Sequence, residues 1–114
     1  MNPEIKQCWI EALNSDEYKQ TKGCLRDSTG YCCLGVLTDL YAKEHNQEWT
    51  LNDDGDYTFD GRNWTPSSEV REWAGIQNSW GPLKEPVNGI ICLAGLNDDG
   101  YSFKQIAQVI EEQL

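Results

Sequence analysis

A chain of 114 residues makes one ordinary domain and leaves no room for a second core of useful size. Apolar residues form 39% of it, charged residues 25%, and five Trp, five Tyr and two Phe exclude wholesale disorder despite a mean hydropathy of −0.65. Nine Lys and Arg against nineteen Asp and Glu give a net charge of −10. That balance argues against nonspecific duplex-DNA binding, which draws its affinity from basic groups displacing counterions, and no window approaches the roughly 18 apolar residues of a membrane span.

In chain order, Asn2-Pro3-Glu4 reads as an N-cap, a proline at the first helical position and an acid at the positive helix end. Ile5, Cys8, Trp9, Ala12 and Leu13 then recur at helical spacing, which predicts a helix over 3–13. Tyr18 to Arg26 predicts one or two short strands, and Asp27-Ser28-Thr29-Gly30 a chain reversal. A second helix is predicted from Tyr31 to about His45, with Gly35 an interior cost of roughly 1 kcal/mol relative to Ala, a sign of close packing against another element. Glu48 to Phe59, split by Asn52-Asp53-Asp54-Gly55, carries a hairpin signal, with Gly61 and Trp64 extending a third strand.

Pro66-Ser67-Ser68-Glu69 opens a short helix through Trp73 that ends at Gly75. Residues 76–89, with Gly81, Pro82, Pro86 and Gly89, are expected to form the longest irregular and most mobile connection. Ile90 to Leu96 is compatible with strand or buried helix, and Asn97-Asp98-Asp99-Gly100 ends it. Ser102-Phe103-Lys104-Gln105 fits a capping box, followed by an amphipathic helix carrying Phe103, Ile106, Ala107, Ile110 and Leu114 on one face. The Leu-Asn-Asp-Asp-Gly run at 51–55 and again at 96–100 reads as repeated turn chemistry, since the flanks differ. The expected architecture is α+β, a single compact domain over 1–114 with three to four helices on a short antiparallel sheet or hairpin.

The start Met1-Asn2-Pro3-Glu4 lacks a basic stretch followed by an apolar one, so neither a secretory signal nor an anchor is expected. Cys8, Cys24, Cys32, Cys33 and Cys92 are an odd set without C-x-x-C spacing, which speaks against a disulfide framework, and His45 as the only histidine speaks against tetrahedral zinc. Cysteine catalysis would set Cys32 or Cys33 at a helix start against His45, yet twelve rises along one helix separate Cys33 from His45 by roughly 18 Å. The calcium-like run Asp56-x-Thr58-x-Asp60-Gly61 has Ser67 at its twelfth place instead of a bidentate Glu. No metal, cofactor or catalytic residue is therefore assigned.

The runs Trp9-Ile10-Glu11-Ala12-Leu13, Tyr18-Lys19-Gln20, Gly23-Cys24-Leu25-Arg26, Gly30-Tyr31-Cys32-Cys33-Leu34-Gly35-Val36-Leu37, Glu72-Trp73-Ala74-Gly75 and Leu96 to Phe103, followed by Ile106-Ala107, resemble a family of small proteins found widely in bacteriophage genomes. The resemblance covers most of the chain, weakest over 46–64 and 76–90, and transfers no catalytic residue. It implies a viral accessory protein at work in the cytoplasm of an infected bacterial host, of the kind that disarms host defence.

Two chemistries compete for that role. Tyr18, Trp64, Trp73, Trp80 and Tyr101 sit near turns and element ends, where a ring can stack on a base. The three arginines, Arg26, Arg62 and Arg71, can grip a diphosphate, while Gln20, Asn97 and Asp98 can read ribose hydroxyls or a base edge. The expected ligand site is Tyr18, Gln20, Arg26, Arg62, Trp64, Asn97, Asp98 and Tyr101, holding a nucleotide-derived immune signal such as a cyclic ADP-ribose or cyclic oligonucleotide without cleaving it. It requires two arginines to converge. The alternative uses Glu44, Glu48, Asp53, Asp54, Asp56 and Asp60 as a decoy for a basic host defence protein that binds nucleic acid. A metal-dependent hydrolase of the same nucleotide is the third reading. Direct nucleic-acid or membrane binding is not expected, and a homo-oligomer could complete a pocket.

Overall fold

The computed structural model describes residues 1–78 and 80–114. The described residues form five helices and two separate two-stranded antiparallel sheets, an α+β fold. Helix α1 (Pro3–Asn14) starts where the Asn2 side chain accepts from the backbone N–H of Glu4 and Ile5, with Pro3 inside its first turn. It buries Trp9 and Leu13, and the Trp9 indole N–H donates to the Cys33 carbonyl at 2.9 Å. That bond ties α1 to the start of α2 (Cys33–Glu44).

Helix α2 is central. Nine of its residues are buried, among them Thr38 and Asp39, so it presents no wide polar face. The chain just before it crosses at very close range: the Leu25 carbonyl accepts the Cys32 N–H at 2.9 Å, and a Cβ at Gly35 would overlap the Leu25 carbonyl oxygen and lie 2.7 Å from its carbon. Only glycine admits that approach, which lays segment 23–27 against the helix.

Strands β1 (Thr50–Leu51) and β2 (Tyr57–Thr58) pair as Thr50 with Thr58 and Leu51 with Tyr57. Helix α3 (Ser68–Ala74) is capped by the Ser67 hydroxyl and ends at Gly75, φ 78°. Strands β3 (Pro82–Val87) and β4 (Ile90–Cys92) form the second hairpin, α4 (Leu93–Asp98) follows at once, and α5 (Phe103–Gln113) opens with the Ser102–Gln105 capping box and packs along α1. Among the described residues no helix is long and apolar enough to cross a membrane.

Four local expectations change. Residues 18–26 form no strand, only bridges of Gln20 and of Arg26 with Tyr31, because a turn at 27–30 folds the segment on itself over too short a length to build a ladder. The third strand at 61–64 reduces to a Phe59–Arg62 bridge, since Asp60 and Gly61 both take positive φ and reverse the chain. Within 76–89, of which position 79 lies outside the described residues, 82–87 is strand: Asn88 (φ 50°) and Gly89 (φ 80°) make the left-handed pair that a tight hairpin needs. The apolar run 90–96 is strand and helix in succession, which brings the helix number to five.

Candidate functional site

The turn at 27–30 builds one site. Asp27 Oδ1 accepts from the Thr29 N–H (2.8 Å), the Thr29 hydroxyl (2.6 Å) and the Gly30 N–H (3.1 Å), and Oδ2 accepts from the Thr21 hydroxyl (2.8 Å). Burial raises the Asp27 pKa, but these donors outweigh it and hold the carboxyl down at about 2. Gly30 is needed because a Cβ there would run into the Lys19 carbonyl. The reversal sets Arg26 opposite Tyr31 in an antiparallel bridge, and the Tyr57 N–H donates to the Arg26 carbonyl at 3.1 Å.

Arg26 is thereby laid over rings. Its guanidinium carbon lies 3.9 Å from the Tyr57 ring centroid, 4.8 Å from that of Tyr31 and 5.6 Å from that of Trp49. Behind these rings, Asp39 accepts the Tyr18 hydroxyl at 2.7 Å and the Trp49 indole N–H at 3.0 Å, and pairs with Lys43 at 3.3 Å. Burial, then the bond to Asp39, pushes the Tyr18 phenol up to about 12, so it stays a donor. Tyr18 and Trp49 meet Tyr31 edge-on, at 4.9 and 6.2 Å. Among the described residues Arg26 joins no ion pair and no side-chain hydrogen bond is made by its guanidinium. It opens instead on a shallow hollow of about 300 Å³ lined also by Lys19, Ser28, Thr29, Tyr31 and Tyr57 and by the acids Glu17 and Asp27.

A second hollow, about 170 Å³, lies on the other side of the same segment and is lined by Gly23, Cys24, Cys32, Trp64, Trp80, Ala94 and Asp98. Between the two, ligand atoms of Cys24, Asp27 and Asp56 fall within 4.8 Å of one another. Burial, then the charges of Asp27 and Asp56, pushes the Cys24 thiol up to about 11, and the thiol faces Asp27 Oδ2 at 3.8 Å. Asp27 is engaged by its own turn, and of the three only Cys24 is buried, Asp27 and Asp56 being half-exposed.

The eight expected site residues divide among several places. Gln20, Asn97 and Tyr101 converge, but in an internal knot: Gln20 Nε2 donates to Asn97 Oδ1 and to the Tyr101 carbonyl, each at 2.8 Å. Asn97 is fully buried, accepts the Cys33 N–H at 3.2 Å and donates to the Thr21 carbonyl at 2.8 Å. Trp64 and Asp98 share the smaller hollow, Tyr18 backs the Arg26 platform, and exposed Arg62 donates to the Thr65 hydroxyl at 3.2 Å, away from both. The Tyr101 hydroxyl accepts from Asn88, and the buried Arg71 Nε has no hydrogen-bond partner among the described residues. Two arginines do not meet in a common hollow. Lys19, Tyr31, Trp49 and Tyr57 were not among the expected site residues, although pairing across the 27–30 turn places Arg26 opposite Tyr31.

A family model described as "Domain of unknown function (DUF8296)" matches residues 1–114. No curated protein and no solved structure matches the chain.

Proposed function

The chain belongs to that family, and we propose that it is a noncatalytic, phage-type accessory protein that sequesters a small nucleotide-derived immune signal inside an infected bacterium. One observation carries the reading: in a chain of net charge −10, the Arg26 guanidinium stacks on rings without a carboxylate partner and faces an open hollow beside Lys19. A planar guanidinium so held keeps its N–H groups for a phosphate or diphosphate, which it grips in bidentate fashion. Lys19 replaces the second arginine that the sequence suggested, and the Thr29 and Ser28 side chains supply neutral polar groups along the same wall. Sequestration needs affinity alone, and the Cys24 thiol behind Asp27 is held protonated by burial.

The test is recovery of ligand. The protein is purified natively from signal-producing cells and denatured, and the released small molecules are read by mass spectrometry beside Arg26→Gln, with circular dichroism to show that the variant folds. An intact phosphate-bearing nucleotide from the parent chain, and at least roughly tenfold less from the variant, supports the reading. A chemically altered nucleotide points to a hydrolase, and equal yield from the variant removes Arg26 from the site. The acids Asp53, Asp54 and Asp60, exposed around the β1–β2 hairpin, favour a second reading, a decoy for a basic host protein. Co-purification of such a protein with no small molecule would select it.

A further inference from the structure

Trp64 is 66% and Trp80 51% exposed, and both face the smaller hollow. Rings of this size gain on the order of 25 cal/mol per Å² of apolar surface on burial, so two of them left open around one concavity form a candidate contact surface. Both are fixed at the backbone. The Asn63 carbonyl, one residue before Trp64, accepts the Leu25 N–H at 2.7 Å. The Trp80 carbonyl accepts the Ala94 N–H at 3.2 Å, and its N–H donates to Asn78 Oδ1 at 2.9 Å.

Most of the lining between them is small and uncharged. Gly23 carries no side chain and has open space where a Cβ would stand, Ala94 adds one methyl, and Cys24 and Cys32 contribute sulfur. Burial pushes those two thiols up to about 11 and about 12. Among the described residues the one charged group lining the hollow is Asp98, whose Oδ1 is aimed by the Gly23 N–H at 3.0 Å while Oδ2 makes no hydrogen bond. Indole faces carry negative quadrupole density and attract cations, and a fixed carboxylate in the same cleft acts in the same direction. An anion is repelled here on both counts.

We propose that the Trp64–Trp80 cleft binds a planar organic cation, an N-alkylated nitrogen heterocycle whose ring lies against indole and whose charge faces Asp98. A volume of about 170 Å³ suits one small ring system. The site stands independently of the Arg26 hollow, which selects the opposite charge.

The probe pair is 1-methylnicotinamide and its neutral parent nicotinamide, titrated into the full chain and followed by indole fluorescence and calorimetry. The cation is expected to bind saturably at millimolar or lower concentration and roughly tenfold tighter than the neutral ring. Trp64→Leu should weaken both ligands. Asp98→Asn keeps an acceptor for the Gly23 N–H, so the fold is preserved, and should erase most of the preference for the cation. Thermal melts confirm folding of each variant, and Arg26→Gln should leave this binding unchanged. Equal affinity for the two rings, wild-type binding by both cleft variants, or no saturation at millimolar concentration overturns the proposal. Tighter binding of arginine methyl ester than of the ring cation overturns the heterocycle assignment in favour of a guanidinium-bearing partner.

Discussion

Gly35→Ala sets two forces against each other at one position. In an open helix, alanine is favoured over glycine by about 1 kcal/mol. At Gly35 the added carbon overlaps the Leu25 carbonyl oxygen and lies 2.7 Å from its carbon and 3.2 Å from the Leu25 Cα. A carbon and a carbonyl oxygen come no closer than about 3.3 Å in comfortable contact, so α2 or segment 23–27 must retreat by on the order of 1 Å. Those atoms are backbone and cannot swing aside. The retreat pulls on the bonds from Cys32 N–H to the Leu25 carbonyl and from Leu25 N–H to the Asn63 carbonyl, and it unseats the fully buried Leu25 side chain. Overpacking costs about 1–3 kcal/mol and a stranded buried hydrogen-bonding group about 1–3 kcal/mol more, so the loss exceeds the helical gain and the net is about 3 kcal/mol destabilising. For a chain of this size that is a fall in Tm of about 10–15 °C.

Gly95→Ala is the comparison, because a Cβ there meets no backbone, only Ile90 Cγ2 at 2.9 Å and Cys92 Sγ at 3.4 Å, and half-exposed Ile90 at the hairpin end can give way where the Leu25 backbone cannot. Its net change should stay within about 1 kcal/mol of zero. Urea unfolding followed by tryptophan fluorescence, with buried Trp9 as a principal reporter, measures both. Wild-type stability in Gly35→Ala, or equal losses in the two variants, would refute the argument that backbone contact governs this site.

Three further outcomes are expected. Asn97→Leu leaves the Cys33 N–H and the Thr21 carbonyl without their partner in the interior and should cost about 3 kcal/mol in urea unfolding; a loss under about 1 kcal/mol would mean that water or a shifted loop replaces the amide. Asp27, held at about 2 in the fold against an ordinary 3.8, contributes stability above about pH 4 that fades as the pH falls towards 2. With allowance for its partial exposure, Asp27→Asn should remove about 1–2 kcal/mol at neutral pH and flatten the acid limb between pH 4 and 2, and an unchanged limb would place the acid sensitivity elsewhere. In a native thiol titration the exposed Cys8 should react first, Cys24, pushed up at the wall of the smaller hollow, only slowly, and Cys32 and Cys33, buried and pushed up by desolvation, should need denaturant; simultaneous reaction of all five thiols would contradict the burial.

The parts of the fold that the sequence made legible are those decided within a few residues. Asn2-Pro3, Ser67 with Gly75, and Ser102 with Gln105 each satisfy helix-end groups locally, and their helices stand where the spacing put them. Gly35, read as a mark of close packing, is where the Leu25 carbonyl touches α2. Residues 82–87 misled because Pro82 and Pro86 suggest interruption, yet a two-stranded hairpin is all edge and tolerates a missing N–H, and Asn88-Gly89 was the turn signal to heed. The Asn-Asp-Asp-Gly run shows how context decides. At 52–55 the Asn52 carbonyl oxygen of the side chain caps a hairpin turn, accepting from Asp54 and Asp56, whereas Asn97 points inward from α4 and holds three segments together. The Arg26 platform was out of reach for a related reason: its rings come from positions 31, 49 and 57, and no periodicity links a turn, a loop and a hairpin.

The two hollows also answer how so acidic a chain could hold an anion at all. Charges beyond about 8 Å are largely screened at physiological ionic strength, so the groups within that distance decide. At the Arg26 hollow, the Arg26 and Lys19 cations face two carboxylates, Glu17 and Asp27, the latter held ionised by donors from Thr21, Thr29 and Gly30, so the local charge is nearly balanced and direct contact with the guanidinium and ammonium decides. Moderate salt there screens the distant acids as well as the nearby attraction, and the two effects oppose one another, so an anion's affinity should vary weakly with ionic strength. At the Trp64–Trp80 cleft, Asp98 and the −10 field pull a cation in the same sense, so added salt should weaken its binding steadily. The slopes of the two titrations therefore separate local from global electrostatics. A cleft whose cation affinity is indifferent to salt would owe its binding to stacking alone, with Asp98 contributing only the Gly23 contact.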